Sequence, residues 1–215
     1  MAERIRTIAT GGSYETVIRK SRFICTLERV TSEEEGKAFL AAMRKQYWDA
    51  SHNCSAWVMG SRGELQRSND DGEPSGTAGL PMLTALNHRA LTDVAAVVTR
   101  YFGGTLLGAG GLIRAYGQSV TEAINTVGIV ERKPMTIMLV ESPHHLAGRL
   151  DFALRGSPYQ VGEIDYAEEV SFELHLTEDE VEPFHEWLGE ATGGQVTAEI
   201  VGTEFVEVPV LEEEP

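Results

Sequence analysis

An α+β chain of two domains, the second a split βαβ unit, is predicted by three observations. The 215 residues carry a formal net charge of -15, and that charge is unevenly placed. Residues 1–133 hold 16 Lys/Arg against 14 Asp/Glu, a net of +2. Residues 134–215 hold only Arg149 and Arg155 against 19 Asp/Glu, a net of -17. So sharp an asymmetry marks a domain boundary, giving domains 1–133 and 134–215. The hydrophobic pattern after Lys133-Pro134 then runs strand, helix, strand, strand, helix, strand, the ferredoxin-like order. Finally, 42% hydrophobic and 24% charged residues are ordinary for a globular chain. Fraying is expected at the ends only, in Met1 to Gly12 and Glu212 to Pro215.

The elements follow in chain order. Tyr14 to Ile18 and Phe23 to Val30 read as strands joined by the polar link Arg19-Lys20-Ser21-Arg22. Thr31…Glu34 and Ser32…Glu35 both fit a capping box. The helix they open carries Phe39, Met43 and Tyr47 at helical spacing and runs to about Trp48. His52 to Gly60 and Glu64 to Ser68 form a hairpin across Ser61-Arg62-Gly63. A turn-rich stretch from Asn69 to Gly79 leads to a helix near Pro81 with Leu83 and Leu86. Val94 to Thr99 is an unbroken apolar run of strand length, so a central strand buried on both faces. The next helix places Leu112, Ile113, Tyr116, Val120, Ile124 and Val127 on one face, with Gly128 as its cap.

In the acidic part, Met135 to Glu141 reads as a strand. Ser142 caps a helix whose first residue is Pro143 and whose buried stripe is Leu146, Leu150 and Leu154, ending at Gly156. Tyr159 to Tyr166 and Val170 to Leu176 are strands. The second alternates Val170, Phe172, Leu174 and Leu176 inward against Ser171, Glu173 and His175 outward. Thr177…Glu180 is a capping box, but Pro183 requires the helix behind it to kink or start late. Val196 to Val208 is the last strand, with a bulge expected at Gly202.

Several function classes are excluded. The overall charge repels a polyanion, which argues against a general cationic nucleic-acid binder. No apolar run approaches the roughly 18 residues that span a bilayer, so no membrane association is expected. Arg4 and Arg6 have no apolar core behind them, so no signal peptide is read there. Cys25 and Cys54 lack metal spacing and read as buried thiols of a cytoplasmic protein. The sequon Asn53-Cys54-Ser55 is therefore discounted. No G-x-S-x-G elbow is present. His52 reads as a core residue, and His144, His145 and His175 as surface residues without ligand partners.

Two loops are left as places for chemistry. Gly103 to Gly111 joins a strand to a helix, where backbone N–H groups and the helix dipole hold anions. Its glycines, Gly103, Gly104, Gly108, Gly110 and Gly111, allow close approach, and Arg100 and Arg114 flank it. It is not a phosphate loop, because Ala109 stands where Lys is required. It is not a dinucleotide fingerprint, because Ile113 replaces the third Gly. A tight packing turn and an anion site both remain open. The acidic loop Asp70-Asp71-Gly72-Glu73, followed by Ser75 and Thr77, offers three carboxylates for acid–base or metal chemistry. A calcium loop fails there, since Arg67 and Ala78 occupy its first and last ligand positions. The plainer reading is a solvated turn with Ser75 and Thr77 as helix-entry residues. No catalytic residue, metal or cofactor is assigned.

Three blocks resemble the YigZ/Impact family: Lys20-Ser21-Arg22-Phe23-Ile24, the run from His52-Asn53-Cys54 through Asp70 to Gly79, and the run from Val98 to Tyr116. The resemblance covers about residues 10–130. It implies a first domain similar to the second domain of small-subunit ribosomal protein five. It also implies a second domain similar to the C-terminal domain of elongation factor G. One departure is Thr105-Leu106, where the family commonly has Lys. In eukaryotic relatives the family is linked to control of translation initiation. The resemblance therefore implies a non-enzymatic binding protein of the translation machinery, touching RNA or a ribosomal surface through Arg19, Lys20, Arg22, Arg100 and Arg114. A small metal-dependent enzyme acting on a phosphorylated substrate is the alternative, and a protein-interaction module a third.

Overall fold

The computed structural model describes residues 5–210, which divide into two compact units. One takes residues 5–131 and 208–210, and the other takes Arg132–Glu207. The expected frayed tail, Glu212 to Pro215, lies outside the described residues.

The first unit has β1 (Ile5–Ile8), β2 (Gly12–Ile18), β3 (Ser21–Arg29), α1 (Glu33–Gln46), β4 (His52–Met59), β5 (Leu65–Asn69), α2 (Gly79–His88), β6 (Val94–Tyr101) and α3 (Ala109–Val127). Its main sheet has the order β2-β3-β6-β4-β5 with antiparallel pairing throughout. β6 is central and its residues Val94 to Arg100 are all buried, as its apolar run requires. Helices α2 and α3 cover one face, where Phe23, Cys25, Leu27, Cys54, Ala56 and Val98 meet Met82, Leu86, Leu112, Tyr116, Val120 and Ile124. Helix α1 covers the other, over Val30, Trp57, Met59 and Ala95. Cys25 and Cys54 both sit opposite Val98, so a strand separates these two free thiols.

Local signals decide several ends. Ser32 caps α1, its Oγ accepting from the Glu35 N–H at 3.3 Å. The Glu35 carboxylate reaches one residue further back, to the Thr31 N–H at 2.7 Å. The alternative box at Thr31…Glu34 therefore does not form. α1 buries less than its stripe suggests: Phe39 and Leu40 pack on the sheet, but only Gly36 is fully buried. A Cβ at Gly36 would lie 3.0 Å from Met59. Ile113 departs from the expected face of α3 and is 44% exposed. Of the start expected to fray, Met1 to Arg4 lie outside the described residues. Ile5–Ile8 is a strand whose Arg6 bonds the buried Glu131 at 2.9 Å.

The second unit has β7 (Ile129–Ser142), α4 (His144–Arg155), β8 (Gln160–Tyr166), β9 (Val170–Leu176), a 3-10 turn Glu178–Glu180, α5 (Val181–Thr192) and β10 (Ala198–Pro209). β7 is longer than the sequence suggests, and the division between units falls inside it, between Glu131 and Arg132. Pro134 is tolerated because pairing with β9 begins only at Thr136. The strand order β10-β7-β9-β8 is the one a split βαβ unit produces. β9 alternates as its sequence requires, and its inward side packs with Met138, Val140, Leu150, Leu154, Phe184 and Leu188.

Two expectations for this unit are not met, the Ser142 cap and the solvent-facing His175, while the late helix start forced by Pro183 is met. Ser142 does not cap α4: Pro143 holds the capping position, its backbone is extended, and no side chain caps the helix. The Thr177–Glu180 contacts form, with the Glu180 carboxylate accepting from the Thr177 N–H at 2.8 Å. They open the 3-10 turn, so α5 starts at Val181 and Pro183 falls in its first turn, where no N–H is needed. A strand irregularity not read from the sequence lies in β8 between Val161 and Ile164. There Gly162 makes room for His175, which is covered rather than solvent-facing and lies 2.7 Å from Glu173.

Candidate functional site

The acidic loop scatters its carboxylates. Asp70 turns back on the loop and accepts from the N–H groups of Gly76 at 2.8 Å, Ala78 at 3.0 Å and Gly79 at 2.8 Å. It thereby serves the free N–H groups at the start of α2. Ser75 is exposed, and the Thr77 hydroxyl donates to the Pro74 carbonyl at 2.6 Å, so neither caps the helix. Asp71, in a left-handed conformation at φ 45°, accepts from Arg44 at 2.5 Å and from the Asn53 N–H at 2.7 Å. Glu73 points into the protein. Among the described residues no three His, Cys, Asp or Glu side chains converge as a metal site.

Burial alone would raise the Asp70 carboxyl, but the N–H groups of Gly76, Gly79 and Ala78 outweigh it and hold it below the usual carboxylate range. A carboxyl depressed on folding adds stability above its unfolded value and loses it as pH falls through its folded value. Asp70→Asn is therefore expected to cost about 2 kcal/mol at neutral pH, the scale of hydrogen bonds to a charged group. The gap to the parent should narrow on acidification in urea unfolding at several pH values. A gap that does not change with pH would contradict this account.

Glu73 is the centre of a buried polar cluster. It accepts from Arg100 Nη1 at 2.5 Å and from the Tyr116 hydroxyl at 2.8 Å. His52 Nε2 lies 3.9 Å from its other oxygen. Arg100 Nη2 donates to Ser21 Oγ at 3.3 Å, and its guanidinium carbon sits 5.4 Å and 5.6 Å from the Phe23 and Phe102 ring centroids. Cys54 Sγ is 3.0 Å from the Asp70 carbonyl and 3.4 Å from the Tyr116 oxygen, so its one proton serves one of them at a time. Burial pushes the Cys54 thiol up to about 12 and the Tyr116 hydroxyl further still. Both stay protonated, which keeps Tyr116 a donor to Glu73 and Cys54 an inert thiol. The cluster ties β3, β4, the acidic loop, β6 and α3 together. In the sequence alone Tyr116 and His52 read as simple core residues. The signal available was that a buried tyrosine hydroxyl needs a partner.

Arg100 is therefore inside, not on a binding surface. Arg22 is exposed but bound to Glu15 at 2.8 Å and 3.1 Å, and it lies over the Tyr101 ring. Arg19 and Lys20 are exposed at the tip of the β2–β3 hairpin, with φ of 48° and 71°. Such a two-residue turn usually takes Asn or Gly. The tip rests on Gly103, whose N–H donates to Ser21 Oγ at 3.2 Å. Gly104 and Gly108 have positive φ with open space around them, and Leu106, where the family commonly has Lys, is 81% exposed.

Arg19, Arg114 and Gly111 do come together. They line a cleft of about 240 Å³ with Ile18, Leu107, Ala115 and Gln118. No acidic side chain lines it. Helix α3 begins there with no side-chain cap and no acidic residue in its first turn. A Cβ at Gly110 would lie 3.9 Å from Arg114 Nη1, so Arg114 folds back over that turn. A cation at a helix N-terminus is unfavourable by itself. Positive side chains and the positive end of the helix thus meet at one spot with no carboxylate among the described residues that line it, an arrangement whose chemistry suits an anion.

Two folded units, one a mixed sheet-and-helix unit around this cleft and the other of split βαβ order, define a two-part α+β protein. The Impact N-terminal domain matches residues 19–124, and a domain of unknown function, DUF1949, matches residues 140–195. The chain is 52% identical to the IMPACT family member YvyE of Bacillus subtilis over 88% of its own length and 87% of that relative. It is 40% identical to the IMPACT family member YigZ of Escherichia coli, over 66% and 74% respectively. A Saccharomyces cerevisiae protein IMPACT homolog is 37% identical over 42% of this chain and 36% of its own. A crystal structure described as that of a hypothetical protein matches with TM-score 0.59 and 32% identity, covering 94% of this chain and 99% of that one. The chain belongs to the IMPACT family. No helix among its described residues is long and apolar enough to cross a membrane.

Proposed function

We propose that this chain is a non-enzymatic binding protein of the translation machinery that meets RNA phosphates through Arg19, Lys20 and Arg114. Residues 1–133 form the binding domain. The acidic domain, residues 134–215, restricts which face a polyanion can approach. The proposed likenesses to the second domain of ribosomal protein five and to the C-terminal domain of elongation factor G fit this role. The observation that carries the reading is the cleft where Arg19 and Arg114 meet the uncapped start of α3. Against the enzyme alternative, Asp70, Asp71 and Glu73 are each held by protein partners and point apart.

The test is the salt dependence of binding to a structured RNA, followed by anisotropy. Each phosphate contact releases counterions, so Arg19→Gln and Arg114→Gln should each lower the slope of log affinity against log salt by about 1. Arg22→Gln should leave the slope unchanged, because Arg22 is already paired. Absence of binding even at low salt, or equal slopes in all variants, would overturn the proposal.

A further inference from the structure

The second unit ends its sheet on a strand left open on both faces and along one edge. β10 runs over Ala198–Pro209, 12 residues, and among the described residues it pairs with β7 alone. A strand with one face on a core alternates buried and open positions, as β9 does. The middle of β10 does not: every residue from Glu199 to Phe205 is exposed, over about 23 Å of strand. Ile200 is 60% exposed, and Val201 and Phe205 are each 57% exposed. Ile200 and Val201 are neighbours and point to opposite faces, so neither face is covered there.

Sheet edges are normally short, bulged or covered, because their unpaired N–H and C=O groups recruit further strands. The opposite edge of this sheet obeys that rule: β8 has 7 residues and is irregular between Val161 and Ile164. β10 is longer and carries three large exposed apolar side chains. In its middle stands Gly202, with nothing within 4 Å of the position a Cβ would take. A glycine inside a strand suits the close approach of another backbone. The surrounding charge has one sign. Residues 132–207 hold 4 Lys/Arg against 16 Asp/Glu, a net of -12. Glu207 lies 3.8 Å from Arg132, and Glu204 lies 3.8 Å from His175. The selection of a partner therefore comes from the field of the whole unit and not from any one carboxylate.

We infer that the open edge of β10 takes up an extended basic segment of a protein partner as an added strand. Main-chain hydrogen bonds supply the pairing, and the partner's apolar side chains cover Ile200, Val201 and Phe205. Its Lys and Arg residues meet the acidic field, which is what selects it. A second copy of this chain is disfavoured, because pairing two such edges brings two units of like charge together. The inference stands apart from the RNA reading, since Arg19 and Arg114 belong to the first unit.

The experiment uses the full chain and synthetic peptides of the length of β10 with Val at alternate positions. One has Lys between the Val residues and one has Glu. A third is the Lys peptide with N-methyl groups on consecutive central residues, which blocks both of its edges. Amide chemical shifts and amide exchange are followed during titration. The Lys peptide should shift residues 199–205, slow the exchange of alternate amides there, and bind at least about tenfold more tightly than the Glu peptide. The methylated peptide keeps the charge and loses the hydrogen bonds, so it should bind about tenfold more weakly than its parent. Phe205→Ala should weaken the Lys peptide by about fivefold or more. Should Phe205→Ala fail to fold, the comparison of the three peptides stands without it. Equal binding of the Lys and methylated peptides would mean attraction by charge without strand addition, and would overturn the inference. Equal binding of the Lys and Glu peptides, shifts elsewhere, no binding at millimolar peptide, or a dimer of the free chain that Phe205→Ala abolishes would do the same. RNA affinity of Phe205→Ala, measured in parallel, should match the parent and separates failure here from failure of the RNA reading.

Discussion

Glu73→Ala is expected to destabilise the first unit by about 3–5 kcal/mol, the cost of leaving one partner of a buried ion pair alone. Arg100 is 5% exposed, so little water can take the place of Glu73 beside its guanidinium. Tyr116 loses the acceptor of its hydroxyl at the same time, and Tyr116 is fully buried. Arg100→Met should cost a similar amount, because Glu73 is then the uncompensated charge. Combining Glu73→Met with Arg100→Met should cost much less than the two separate losses, since a well-packed apolar pair removes both desolvation penalties. The measurement is urea unfolding followed by the fluorescence of the buried Trp57, with Trp48 and Trp187 replaced by Phe. A loss below about 1 kcal/mol for Glu73→Ala would show that the pair does not hold these loops.

The physical reason for this arrangement is also the reason it was hidden. Local period and capping chemistry make much of the fold legible. The alternation of Val170, Phe172, Leu174 and Leu176, the Ser32 cap and the all-apolar Val94 to Val98 each follow from interactions within a few residues. Glu73–Arg100 and Asp70–Gly79 do not. The first joins residues 27 apart, and the second has one carboxylate cap a helix nine positions on. Nothing in a hydrophobic pattern states such partners. Arginine is rarely fully buried, so Arg100 at the end of an apolar strand reads as a surface charge until Glu73 is placed beside it. The glycine-rich loop was half legible. Its position before a helix leaves a packing turn and an anion site both open, and the cleft at Gly111 is where the proposed phosphate contact falls. Gly103 turns out to serve packing, because a hairpin tip from far back in the chain lies against it. The paired charges of Arg22 and Glu15 were likewise invisible, since strand register decides which side chains face each other.

Gly103→Ala is the substitution expected to disturb the basic face most. The added Cβ would overlap the carbonyl carbon and oxygen of Lys20 and press on the amide of Ser21. These are backbone atoms, so no side-chain rotation relieves the overlap. The hairpin tip must move, and Arg19 and Lys20 already occupy left-handed conformations with little freedom. Its movement breaks the Gly103 N–H bond to Ser21 Oγ and loosens the Ser21 contact with Arg100. A cost of about 1–3 kcal/mol is expected from overpacking, together with loss of the Arg19 contribution to RNA binding. Gly104 provides the control. Its φ is 81° and nothing lies near its Cβ position, so its demand is conformational only. Gly104→Asn should cost about 1 kcal/mol, the strain of a side chain at positive φ, and leave the hairpin in place. Thermal melts of both variants, with amide exchange at residues 18–22, separate the two costs. Gly103→Ala melting with Gly104→Asn, and with an unchanged hairpin, would mean that the tip does not rest on Gly103 in solution. The Arg19–Arg114 cleft would then lack the support that brings its two arginines together.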